Sequence, residues 1–248
     1  MVNEAGREEA MTFTNTRESG TLALSKALKG NATDGEKEFT FRVKLENARF
    51  DTATQRDAYD VVIREANKAD VQTTVARDAN GEYVLTLKGG QTATLLDVLY
   101  GTTATVAEDD YTAEGYEAVS TQTAAVNGQT PDAAAAFTNE RYIGSIEITK
   151  ALAGTGSDKG YGKTFTFDVK LWNEHDLDLL NAQTSTMPSG VDGLTKTNEQ
   201  RDGHDVYAGT VSITMGADGQ PVSASITNIP AHTHYEIVER DYLSLIHI

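Results

Sequence analysis

No cysteine occurs in the 248 residues, which excludes a disulfide framework and any thiolate-bound metal centre. Positive charge is scarce too, with 21 Lys and Arg against 37 Asp and Glu and a formal charge of −16. Nucleic acid and anionic membrane surfaces both require a positive field, so neither is an expected partner. There is no apolar run long enough to span a bilayer, no secretory signal pattern and no lipidation motif. For a chain that reads below as a fragment, these last absences say nothing about export. Long helical patterns are also missing; only 173–182 and 55–68 have room for helical turns.

What is present is a series of short runs of Thr, Val, Tyr and Phe, separated by turn signals such as Asn80-Gly81, Asn127-Gly128, Asp202-Gly203 and Asp218-Gly219. That pattern reads as an all-β chain. It is also written twice. FTNTRESGTLALSKALKG from Phe13 returns as FTNERYIGSIEITKALAG from Phe137, and FTFRVKL from Phe39 returns as FTFDVKL from Phe165. Lys150 follows Lys26, and Asn139 follows Asn15, by the same 124 positions. A period this long fits tandem β-domains rather than a solenoid. The register of the copies sets the expected boundaries: 1–17 is the last strand of a preceding repeat, 18–141 one complete repeat, and 142–242 a second repeat that lacks its last strand. Residues 243–248, Leu-Ser-Leu-Ile-His-Ile, resemble the translation of a transposon-derived sequencing adaptor and read as a non-native tail.

Strand parity then isolates three polar residues. Successive side chains of a strand face opposite sides, so Leu22, Leu24, Lys26 and Leu28 share the apolar face, as do Ile146, Ile148, Lys150 and Leu152. By the same count Ala104, Val106 and Glu108 share a face, as do Tyr235, Ile237 and Glu239, and Phe137 shares one with Asn139. Each complete repeat thus directs one Lys, one Glu and one Asn inward from three strands. A buried ammonium must be paired, neutral or consumed in a reaction. Two readings follow from the residues alone: a static buried ion pair hydrogen-bonded to an amide, or a reactive trio.

Three motifs carry a family resemblance: the G-(T/S)-x-x-x-x-K opening, the V-x-E-x-D-Y strand and the F-T-N-x-R ending, in that order and at repeat spacing. Together they resemble the pilin isopeptide linkage and Cna B-type domains of Gram-positive surface proteins. The resemblance implies tandem Ig-like (Cna B-type) β-sandwich domains in which a first-strand Lys is joined covalently to a last-strand Asn with the help of a buried Glu. It implies Lys26 as nucleophile, Asn139 as acceptor and Glu108 as acid/base. Lys150 and Glu239 match the lysine and glutamate of the second repeat, and Asn15 the acceptor of the preceding one, which leaves Lys150 and Asn15 without partners. One departure is Ala104, where the family usually has a tyrosine or similar bulky residue. The implied role is structural, a stalk or shaft repeat outside a Gram-positive cell, with no cofactor and neighbouring repeats of the same chain as partners. The alternative is an adhesin module recognising a host matrix protein or glycan through 47–80 and 172–206, where the copies diverge.

Other patterns point elsewhere only weakly. Ser157–Thr164 nearly matches a phosphate-cradling loop, but its first glycine is displaced and the strand-like FTFDVKL follows where a helix is required. His232 and His234 have His204 as the only other plausible histidine ligand nearby, so they read as a solvated loop, and no metal site is expected. Asn31-Ala-Thr33 is a formal glycosylation sequon. Asp109 is expected to face solvent.

Overall fold

The computed structural model describes residues 12–14, 17–48, 56–181 and 187–240. Among them there is no α-helix, and they form fifteen strands and two short 3-10 turns. In the first half these are β1 (Ser19–Lys29), β2 (Phe39–Asn47), β3 (Ala58–Glu65), β4 (Val71–Ala76), β5 (Tyr83–Leu87), β6 (Gln91–Leu99), β7 (Thr102–Glu108), β8 (Gln122–Val126) and β9 (Asp132–Glu140). The second half has β10 (Ile143–Lys150), β11 (Thr164–Asn173), β12 (Asp192–Arg201), β13 (His204–Thr214), β14 (Val222–Pro230) and β15 (Thr233–Glu239).

Alternation dictates the layers. Every second residue of β2 from Phe39 to Leu45 is buried, and so is every second residue of β9 from Ala133 to Asn139. A strand with one apolar face has to cover it, and here two sheets do so face to face. The order β4-β3-β6-β1-β9 makes one sheet and β5-β2-β7-β8 the other. Leu22, Leu24, Leu95 and Phe137 of the first interdigitate with Phe39, Phe41, Leu85 and Val106 of the second in one core. Edge-to-face aromatic pairs stiffen it: Phe41 on Phe137 at 5.0 Å and Phe39 on Tyr116 at 5.4 Å between ring centroids.

A second core repeats the scheme with Ile148 and Ile226 of the β10-β14 sheet against Phe165, Phe167, Val169 and Leu171 of the β12-β13-β11-β15 sheet. The repeat extends to strand register. Phe39 pairs with Leu87 as Phe165 pairs with Ile213, and Phe41 pairs with Glu108 as Phe167 pairs with Glu239. Both opening strands carry a register shift at the same place, between Gly20 and Leu22 and between Gly144 and Ile146.

The copies differ in two respects. The divergent segments add strands to different sheets: β3 extends the sheet through β6, whereas β12 extends the opposite sheet through β13. And β1 is held on both sides, antiparallel to β6 and parallel to β9, while β10 has β14 alone as a neighbour among the described residues. The expected helical turns are absent where described. Residues 58–65 form β3, because Val61, Val62 and Ile63 are β-branched and pair with β6, and beyond Asn173, which ends β11, 174–181 form turns and irregular chain.

Candidate functional site

Lys26 lies in β1, Glu108 ends β7 in the facing sheet, and Asn139 lies in β9 beside β1. The parallel register pairs Lys26 with Phe137 and Leu28 with Asn139, so the lysine and the asparagine stand one inward step apart on neighbouring strands. Their side chains converge on Glu108. Lys26 Nζ donates to Glu108 Oε1 at 2.8 Å and to Oε2 at 2.9 Å, and Asn139 Nδ2 donates to Oε1 at 2.6 Å. The Lys26 and Glu108 side chains are 0% and 1% exposed, and Asn139 is 2% exposed. The inward trio expected from parity is therefore one hydrogen-bonded cluster closed off from water.

The surroundings are apolar on the lysine's side. Nζ sits 4.0 Å from the centroid of the Phe39 ring and 5.7 Å from that of Phe41. Burial lowers the Lys26 pKa from its ordinary value; the hydrogen bond and charge of Glu108 oppose the shift without cancelling it. On the amide side, Asn139 Oδ1 is buried without a hydrogen-bond partner. Such a group is rare in folded proteins and asks for an explanation. Turned by half a rotation, the amide would set Oδ1 where Nδ2 now lies, 2.6 Å from Glu108 Oε1, where a carboxyl proton could be donated to it.

Neighbouring motif residues hold the frame. Arg141, the last residue of F-T-N-x-R, is buried with its guanidinium 5.4 Å from the Tyr116 ring centroid, and its backbone N–H donates to Lys29 at 3.0 Å. The Tyr111 hydroxyl, at the end of V-x-E-x-D-Y, accepts from the Thr40 N–H at 2.9 Å, fixing the strand on which Phe39 and Phe41 sit. Ala104 is fully buried between β2 and β8. Asp109 faces outward, paired with Arg42 at 2.8 Å.

The second repeat reproduces two thirds of the site. Lys150 Nζ donates to Glu239 Oε1 and Oε2 at 2.8 and 2.9 Å, with Phe165 at 4.3 Å below it. Here the side chains are 15% and 36% exposed. It is β14 alone that flanks β10 among the described residues, and Tyr235, which parity turns toward the same face, is 57% exposed. Asn15 lies outside the described residues, as does the tail at 243–248.

Of the remaining patterns, 157–160 is a short 3-10 turn that leads into β11 rather than a helix. Both ends of the Asn31 amide are occupied, bonded at 2.9 Å to the N–H and to the carbonyl of Ile143. His204 pairs with Asp176 at 2.8 Å, and the ring beside His232 belongs to His175, 4.5 Å away and stacked. Sequence spacing could not reveal that neighbour, because the two loops meet only through the pairing of β11 with β15.

Comparison with known proteins agrees with the motifs. Residues 20–141 match the model of a family described as a domain of unknown function, DUF7601. Over 114 residues the chain is 32% identical to a pilin of Streptococcus pyogenes serotype M1, a stretch that covers 45% of this chain and 32% of that protein. The chain thus spans about a third of the curated relative's length. Among solved structures, the major pilin from Streptococcus pyogenes is 24% identical with a TM-score of 0.40, covering 50% of this chain and 48% of that one. The T-13 major pilin from the same organism is 14% identical with a TM-score of 0.31, over 90% of this chain and 82% of that one. On its sequence, this chain is similar to streptococcal pilin, in keeping with the pilin-like, Cna B-type resemblance of its three motifs.

Proposed function

We propose that the chain supplies shaft repeats of a Gram-positive cell-surface or pilus-like protein, locked by a self-formed amide between Lys26 and Asn139. One observation carries this reading: a lysine, a glutamate and an asparagine from three strands meet within hydrogen-bond distance with almost no exposure. The relationship to pilin supports the surface location and the structural role, with neighbouring subunits or repeats as the natural partners.

Burial disfavours both charged forms, so the pair can pass its proton to become a neutral amine facing a neutral acid. The Lys26 amine attacks Cγ of Asn139 while the protonated Glu108 donates to the amide oxygen. Glu108 then takes a proton from the attacking nitrogen and delivers it to Nδ2. The oxygen returns its proton to Glu108 as the bond from Cγ to Nδ2 breaks, ammonia leaves, and a new amide joins Nζ to Cγ. Folding has already brought the reactants together, which supplies much of the rate. The step occurs once and uses only the chain's own groups.

The bond would close a loop of more than a hundred residues, worth about 4 to 5 kcal/mol by the chain-entropy argument for cross-links. Because β1 and β9 are adjacent and parallel, tension entering at one and leaving at the other would pass through the amide instead of shearing their ladder. In this reading 18–141 is one complete repeat and 142–242 belongs to a second. Peptide mapping tests the bond: a branched peptide joining the Lys26 and Asn139 fragments supports it, and two separate linear peptides refute it.

A further inference from the structure

Between the two halves lies a cluster that the trio does not use. The turn from β14 to β15 places His232 at its tip, with a backbone φ of +59°. The corresponding turn of the first repeat, from β6 to β7, has Gly101 there, with φ +88°. The equivalence is fixed by a shared device. Asn47 donates to the Tyr100 carbonyl and the Thr102 hydroxyl, and Asn173 donates to the Ala231 carbonyl and the Thr233 hydroxyl, each pair flanking the tip residue. Glycine takes a left-handed backbone without cost, whereas a residue with a Cβ is strained in it. The second repeat keeps a strained histidine where its sister copy has the relaxed solution.

That histidine meets ligand-type side chains from both halves. Its Nε2 is 3.0 Å from Glu117 Oε1, which comes from the first half, and its ring stacks on His175. Asn173, which pins the His232 turn, also accepts the His175 N–H at 2.9 Å, so one buried asparagine positions both imidazoles. Behind them Glu174 approaches His232 Nδ1 at 3.6 Å and binds His234 Nε2 at 2.6 Å. A carboxylate on the far nitrogen is the arrangement that orients metal-bound histidines.

We propose that Glu117, His175 and His232 form a site for a divalent transition metal, zinc by donor type, which clamps the junction between the successive halves. One ligand atom from each of the three lies within 4.8 Å of the others. Tetrahedral zinc, with bonds of about 2.0 Å to nitrogen, wants its donors about 3.3 Å apart. Rotation of the exposed side chains closes that gap, and water completes the shell. Imidazole with carboxylate suits zinc, whereas calcium and magnesium prefer oxygen alone. The metal would reinforce a junction already tied by Asn31 to Ile143.

Zinc titration of the whole chain by calorimetry tests this, with thermal unfolding followed through Trp172 and chelator as the control. The expected result is one zinc bound per chain and a raised melting midpoint that chelator reverses. His232→Gly adopts the first repeat's own turn and should fold at least as well without metal, yet bind zinc at least about tenfold more weakly. Glu117→Gln should weaken binding similarly, because it removes the ligand contributed across the junction, while His204→Asn should leave binding unchanged. No saturable uptake at ~100 µM zinc, affinity preserved in His232→Gly, or affinity lost in His204→Asn would each overturn the proposal.

Discussion

The two Lys–Glu pairs have the same residues and the same distances but different burial, so neutralising each glutamate separates the effect of solvent from that of contact. The perturbation is Glu108→Gln in an Asn139→Ala background, where no amide can form and only the ion pair is at issue; Glu239→Gln is the control. Glu108 holds a lysine whose side chain is 0% exposed. Breaking a buried pair typically costs about 3 to 5 kcal/mol. An independent bound agrees: if the lone lysine sheds its proton, holding it neutral at pH 7 against an ordinary value of 10.5 costs about 5 kcal/mol at most. The Lys150–Glu239 pair is 15% and 36% exposed and should be worth ~1 kcal/mol or less.

The sign of the pH dependence follows. With Glu108 neutralised, the folded lysine has a depressed pKa while the unfolded one binds its proton up to about 10.5. Stability of the first half should then rise with pH, by up to about 1.4 kcal/mol per unit, as pH passes above the depressed pKa of the folded lysine and until the unfolded one loses its proton near 10.5. Urea unfolding followed by circular dichroism measures the loss, and fluorescence of Trp172, the chain's one tryptophan, identifies the second half's transition. Equal losses at the two sites, or a pH-independent loss at Glu108, would refute the burial argument.

Three further outcomes follow. Limited proteolysis should clip beyond about Tyr142 and leave 18–141 intact, because among the described residues β10 has one strand neighbour where β1 has two; equal protection of both halves would count against this. The segment around Asn15 repeats the sequence around Asn139, so in a concentrated sample it should add to the edge of β10 that has no strand neighbour among the described residues of a second copy and join Lys150. A ladder on a denaturing gel, lost in Asn15→Ala or Lys150→Arg, is the expected sign, and monomer alone after long incubation contradicts it. Burial pushes the Tyr83 phenol up to about 12, above its unfolded value near 10, so its stabilisation is complete below pH 10 and is lost as pH rises toward 12. Tyr83→Phe should flatten that alkaline limb of a calorimetric profile, and an unchanged limb would assign the loss to other groups.

Much of the site was legible because strands have a period of two. Leu22 and Leu24 announce the buried face, and counting onward assigns Lys26 to it; the same count assigns Glu108 and Asn139. The repeated motifs align the two halves, and they share register where Phe41 pairs with Glu108 and Phe167 with Glu239. Harder to read were elements whose faces do not alternate. In β3, Val61, Val62 and Ile63 form a continuous apolar run that periodicity cannot assign to helix or strand. β12 is a polar edge strand with no buried residue, and its residues join an ion-pair chain through Lys170, Glu199, Arg201 and Glu236. The Glu117–His175–His232 cluster was invisible for a third reason: its members lie on loops brought together by register and by Asn173, which no local pattern encodes.

The most direct test of the central claim is the intact mass of the purified chain. Because one complete Lys–Glu–Asn trio is assembled, the account predicts a mass one ammonia below that of the sequence, restored in full by Lys26→Arg or Asn139→Ala. A native chain at full sequence mass would leave the trio as a static buried ion pair, and a deficit that persists in Asn139→Ala would place the bond elsewhere.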